Sequence, residues 1–112
     1  MKINYLLTTF SPAMFGEGAT AHIKVIEKDE AALLISEATK IVATRTSHER
    51  LARSQFPAAQ DTSRYAMLKP GVNAIHLHYR GPQVAEDGRL PAGGMVTFYL
   101  VEVEDYHQAD TA

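Results

Sequence analysis

Lys40-Ile41-Val42-Ala43-Thr44-Arg45-Thr46-Ser47-His48-Glu49-Arg50-Leu51-Ala52 is the stretch whose reading decides the fold. Its first part, Lys40 to Thr44, is a short β-branched run that reads as a buried strand. After it the period changes. Leu51, Ala52 and Phe56 share a helical face, and Pro57 stops the run. Thr46 or Ser47 is placed to cap that helix. A strand running straight into a helix is the building unit of α/β proteins.

Upstream, Asn4 to Thr9 predicts a first strand, and Phe10 to Gly18 a loop broken by Pro12, Gly16 and Gly18. Thr20 to Glu27 alternates, with Ala21, Ile23 and Val25 on one face and His22, Lys24 and Ile26 on the other. Asp29 is expected to cap a helix carrying Ala31, Leu34, Ile35 and Ala38 on one side, with Glu30 in its first turn. Downstream, Ser63 to Leu68 reads as a strand and Lys69-Pro70-Gly71 as a turn. Asn73 to Arg80 alternates again: Ile75, Leu77 and Tyr79 against His76, His78 and Arg80. Gly81 to Gly94 is a Pro/Gly loop of a length more often functional than idle. Val96 to Val103 is the last strand.

The predicted order is β-β-α-β-α-β-β-β. It describes one small α/β domain over residues 1–105: a mixed sheet of about five to six strands with two or more helices packed on it. Residues 106–112 are expected to form a loose tail.

The 112 residues suffice for one domain, and 46% of them are apolar, an ordinary fraction for a packed core. A core of this size is limited, so a dimer interface is a natural addition. With no cysteine there is neither a disulfide framework nor a thiolate metal site, which fits a reducing, cytoplasmic setting. No apolar run approaches the roughly 18 residues of a membrane span. The net charge of −2 lacks the basic stripe of a duplex-DNA binder. A nucleotide ligand is therefore expected to be small and held by placed donors.

His48 leads the candidate residues. It falls in the opening turn of a helix, where unpaired N–H groups favour anions, with Arg45, Thr46, Ser47 and Arg50 as further donors. A histidine there can protonate a leaving oxygen near neutral pH. The plain alternative is a surface histidine at a helix start. His76 and His78, two apart on a strand, point the same way and would bind a metal if His22 or Glu86 supplied a third ligand. Their plain reading is a polar, half-exposed sheet face. Ser11, after the first strand, is a ligand-loop candidate or simply a turn hydroxyl before Pro12. The run Arg80 to Pro91 offers two arginines and two carboxylates, or an ordinary soluble connection.

In order, these pieces resemble a known family, the small ring nucleases of archaeal viruses and phages that act as type III anti-CRISPR proteins, with relatives beside cellular CRISPR systems. Tyr5-Leu6-Leu7-Thr8-Thr9-Phe10-Ser11 is similar to that family's first strand and ligand loop. Ile41-Val42-Ala43 followed by Ser47-His48-Glu49 resembles its buried strand and the helix opening on a Gly-His motif, Ser47 standing where the family has glycine. Tyr79-Arg80-Gly81-Pro82, Glu86 and Leu90-Pro91-Ala92-Gly93 resemble its strand-end arginine and following loop. The likeness spans nearly the whole chain short of the tail.

The resemblance implies a homodimer that binds cyclic tetraadenylate, the second messenger of type III CRISPR antiviral defence, and cleaves it without metal or cofactor. A ribose 2′-hydroxyl attacks the adjacent phosphorus and a histidine protonates the departing 5′ oxygen. The products are linear adenylates ending in 2′,3′-cyclic phosphate. Carried over by position, His48 is the general acid and Glu86 lies beside it. Ser11, with Thr9 and Phe10 in the same loop, contacts ligand, as does Ser47. Arg80 contacts phosphate, although Gln83 and Arg89 also match the family arginine, and Asp87 also matches the acidic residue. The implied alternative is a protein that sequesters the cyclic nucleotide without cleaving it.

Overall fold

The strand expected at Asn73 to Arg80 forms as β5 (Asn73–Arg80), in the middle of a six-stranded mixed sheet. The computed structural model describes residues 1–59 and 61–105, so the expected tail at 106–112 lies outside the described residues. The other strands are β1 (Tyr5–Leu7), β2 (Ala19–Ile26), β3 (Lys40–Val42), β4 (Thr62–Ser63) and β6 (Met95–Asp105); the helices are α1 (Lys28–Leu34) and α2 (Thr46–Gln55). The strand order is β2-β6-β5-β1-β3-β4. β1 pairs in parallel with both β3 and β5, and β3 in parallel with β4. β6 runs antiparallel between β5 and β2. The small α/β domain read from the sequence is the fold observed.

Alternation divides the side chains between two faces of the sheet. On the first, Leu6, Ile41, Ile75, Leu77, Phe98 and Leu100 pack with Ala31 of α1 and Leu51, Ala52 and Phe56 of α2. On the second, Leu7, Val42, Ala74, Val101 and Val103 pack with Met14, Ala66 and Leu68 from the loops. Leu6, Leu7, Ile41 and Val42 are fully buried. Removing such a side chain down to alanine costs about 2–5 kcal/mol.

Several local expectations shift. α1 opens after Glu27, one residue beyond the end of β2, so Asp29 lies inside its first turn instead of capping it. α1 ends at Leu34 and Ala38 is exposed. The chain turns there because buried Thr39 donates its hydroxyl to the Ile3 carbonyl (2.9 Å) and accepts the Ser36 N–H (3.1 Å). The strand expected over Ser63 to Leu68 is only Thr62–Ser63, with Leu68 bridging to Phe15. Ser63 Oγ bonds the backbone of Tyr65 instead, a local turn that competes with the ladder. On β2 the apolar stripe divides: Ala21 packs into the second cluster, while Ile23 and Val25 stay exposed.

The second face is covered only in part. Beyond Met14 and Leu68 it is open, and there Phe10, His76 and Tyr99 stack in a row. The Phe10 and His76 rings are 5.5 Å apart at 25°, and His76 and Tyr99 5.9 Å apart at 27°. Burial in this row, with the neighbouring His78 charge second, pushes the His76 pKa down to about 4. The unfolded chain then binds more protons than the native one between about pH 6.5 and 4. Stability from a neutral His76 is complete above that window and is lost as pH falls through it. Acid titration monitored by circular dichroism is expected to show this loss. His76→Phe, which keeps a ring in the row and cannot charge, is expected to move the acid-unfolding midpoint to lower pH; an unchanged midpoint contradicts the assignment.

Candidate functional site

β1 and β3 lie side by side and parallel, but the chain leaves them towards opposite faces. After β1 it crosses to the second face through Ser11 and a single 3₁₀ turn, Pro12–Met14, which buries Met14 there. After β3 it enters α2, which packs on the first face. Such a divergence leaves a crevice beyond the carboxyl ends of the strands, the usual ligand position in open α/β sheets. Thr8 closes its floor: both its N–H and its hydroxyl donate to the Val42 carbonyl, at 3.0 and 3.1 Å.

α2 opens on this crevice. Arg45 is the extended residue before it, and its carbonyl accepts the Glu49 N–H at 3.0 Å. No side-chain cap is made, so neither Thr46 nor Ser47 acts as the cap expected of them; both lie inside the first turn. The N–H groups of Thr46, Ser47 and His48 are thus left without helical partners at the positive end of the helix.

His48 is the third residue of α2 and half-buried. Its ring meets Tyr79 edge to face, with centroids 6.0 Å apart. It lies between two cavities. One, of about 320 Å³, is lined by Thr8, Thr9, Thr44, Arg45, His78 and Tyr79 besides His48. The other, of about 420 Å³, is lined by Arg45, Ser47 and Tyr79 with Gly81 to Val84. Burial first, and the Arg45 charge second, lower the His48 pKa below its ordinary value near 6.5. Among the described residues Arg45 has no carboxylate partner, so its charge faces the crevice uncompensated.

The loop after β5 walls the second cavity and is tied down in several places. The Tyr79 hydroxyl donates to the Pro82 carbonyl. Val84 is buried in the core. Gly88 has a positive φ of 72° and lies flat on α2; a Cβ there would sit 2.5 Å from the Arg50 carbonyl oxygen. The Ser54 hydroxyl also reaches the Gly88 carbonyl.

Of the candidates, the structure brings Thr9, Ser47, His48 and Gln83 together around these cavities. It does not bring the others there. Ser11 spends its hydroxyl as the cap of the 3₁₀ turn, accepting the Ala13 N–H at 3.3 Å. Phe10 packs between Phe15 and His76. Arg80 is exposed at the end of β5, paired in register with Met95, and lines neither cavity. Glu86 is exposed on the loop and also lines neither. Asp87 and Arg89 hold each other, through an ion pair at 3.9 Å and the Arg89 N–H at 3.0 Å.

The three-histidine metal set does not converge. His22 lies on the first face of β2, bonded to Glu104 at 2.9 Å, whereas His76 and His78 lie on the second. Tyr79, Thr8 and Thr44 are site residues that the alternation pattern missed. Tyr79 belongs to the apolar face of β5, but at the strand end that face opens into the crevice, and a half-buried phenol needs a partner for its hydroxyl.

Neither a protein-family model nor a curated protein sequence matches this chain.

Removing the Arg45 charge is expected to raise the His48 pKa. Histidine NMR titration of Arg45→Gln should place the His48 midpoint above that of the parent protein. An unchanged His48 midpoint contradicts the charge coupling.

Proposed function

We propose that the crevice binds a cyclic oligoadenylate, cyclic tetraadenylate by resemblance, and that His48 promotes its metal-independent cleavage. The observation that carries this is the position of His48: a titratable imidazole in the uncapped first turn of α2, between two cavities and beside Arg45, which has no carboxylate partner among the described residues. The free N–H groups and the guanidinium suit a phosphodiester. The nucleophile comes from the substrate. The ribose 2′-hydroxyl loses its proton to solvent as it bonds to phosphorus, and the 5′ oxygen leaves with the proton of the His48 imidazolium. The protein supplies orientation and one proton, and general-acid help of this kind is worth roughly 10²–10⁴-fold.

A second copy of the chain would complete the site, since a symmetric ring suits a two-fold dimer. Sequestration without turnover is the second reading. The lowered His48 pKa favours it, because the free protein then carries less imidazolium at neutral pH than an ordinary histidine would. So do Arg80 and Glu86, which lie outside the cavities.

Incubation with cyclic tetraadenylate and EDTA, followed by chromatography, separates the two readings. Cleavage is expected to give linear adenylates with 2′,3′-cyclic phosphate, slowed about 10²–10⁴-fold in His48→Ala. Tight binding with the ring recovered intact establishes sequestration. Full activity in His48→Ala, or neither binding nor cleavage, overturns the proposal.

A further inference from the structure

We infer that the open sheet face next to the crevice is a seat for a purine base, formed by Tyr99, His78 and Phe10 around the half-buried ring of His76. A cavity of about 280 Å³ lies there, lined by Phe10, Ile23, His76, His78 and Tyr99. Four of these five side chains are flat rings. Three of them, Phe10, His76 and Tyr99, stand nearly parallel, and His78 meets His76 at 70° with centroids 5.9 Å apart.

Paired strands hold these rings in place. His76 is in register with Tyr99, and His78 with Thr97, while Phe10 is wedged against Phe15 from the other side. The platform is therefore fixed before any ligand arrives, and its stacking costs little ordering entropy. Its chemistry suits a base: aromatic ring surface to lie against, with imidazole nitrogens and a phenol for hydrogen bonds. Bases splayed on aromatic side chains of a sheet face are a general mode of single-stranded nucleotide recognition.

His78 connects this platform to the crevice, because it lines both the open cavity and the one shared with Arg45 and His48. A nucleotide whose phosphate lies at the start of α2 thus has a path for its base across His78 onto Tyr99. The inference rests on the proposed reading for the phosphate that delivers the base. It adds to that reading a base-recognition element outside the catalytic crevice.

The test is an NMR titration with three probes: adenosine, ribose 5-phosphate and cyclic tetraadenylate. Adenosine is expected to shift the ring resonances of Phe10, His78 and Tyr99, and ribose 5-phosphate only the amides from Arg45 to His48. Tyr99→Leu keeps apolar bulk but removes the ring, and His78→Ala changes an exposed side chain. Each is expected to weaken cyclic tetraadenylate about tenfold or more, with the ribose 5-phosphate response of Tyr99→Leu unchanged. Adenosine shifts at the platform without any binding of cyclic tetraadenylate support the base seat and overturn the crevice reading instead. Unmoved platform resonances with adenosine, or parental affinity in both variants, overturn the inference. So does burial of the platform by a second copy at rising protein concentration without nucleoside.

Discussion

The burial of β1 on both faces is the constraint on which the rest depends. Only three residues long, it lies between two parallel partners, with Leu6 facing the helices and Leu7 facing the loops, both fully buried. Each of those leucines contributes about 1.5–3 kcal/mol on removal from water. Both faces must be covered for that gain to be realised. The chain after β3 covers one with α2, and the chain after β1 covers the other with Met14. The crevice where the two paths part follows from that packing, and the first turn of α2, with His48, is held at its edge.

The electrostatics there pull in two directions. A proton donor should hold its proton near neutral pH, yet burial and Arg45 make His48 release it early. The same two features favour a bound phosphate. A unit charge about 4 Å away is worth about 4 kcal/mol at an effective dielectric near 20, against about 1.4 kcal/mol per pKa unit. A phosphodiester between Arg45 and His48 would therefore offset the guanidinium charge and shift the His48 pKa back upwards. On the proposed function, binding would come first and protonation of His48 would follow it.

Much of this architecture was legible in the residues. Periodicity located β2, β5 and β6, and the order of strands and helices, because apolar alternation is a property of the chain itself. The helix after β3 was legible from Leu51, Ala52 and Pro57. What escaped was set by local side-chain bonds and by which face is covered. The strand begun at Ser63 stops there because its hydroxyl bonds Tyr65, Ile23 and Val25 lie over an open face, and Ser11, of its two readings, takes the turn cap. Around His48, the motif carried Ser47 and Gln83 into the cavity walls but not Arg80 or Glu86, since the anchoring of Gly88 on Arg50 sets the path of that loop. That Tyr79 and His78 wall the crevice became visible only once the strand end and the crevice were seen together.

On the proposed function, His48 gives its proton to the leaving 5′ oxygen. A cyclic tetraadenylate with sulfur in place of each bridging 5′ oxygen tests this most directly, because a thiolate leaves without protonation. His48→Ala, slow on the natural ring, is expected to cleave the sulfur-bridged ring at close to the parental rate. An equal defect of His48→Ala on both rings would contradict it.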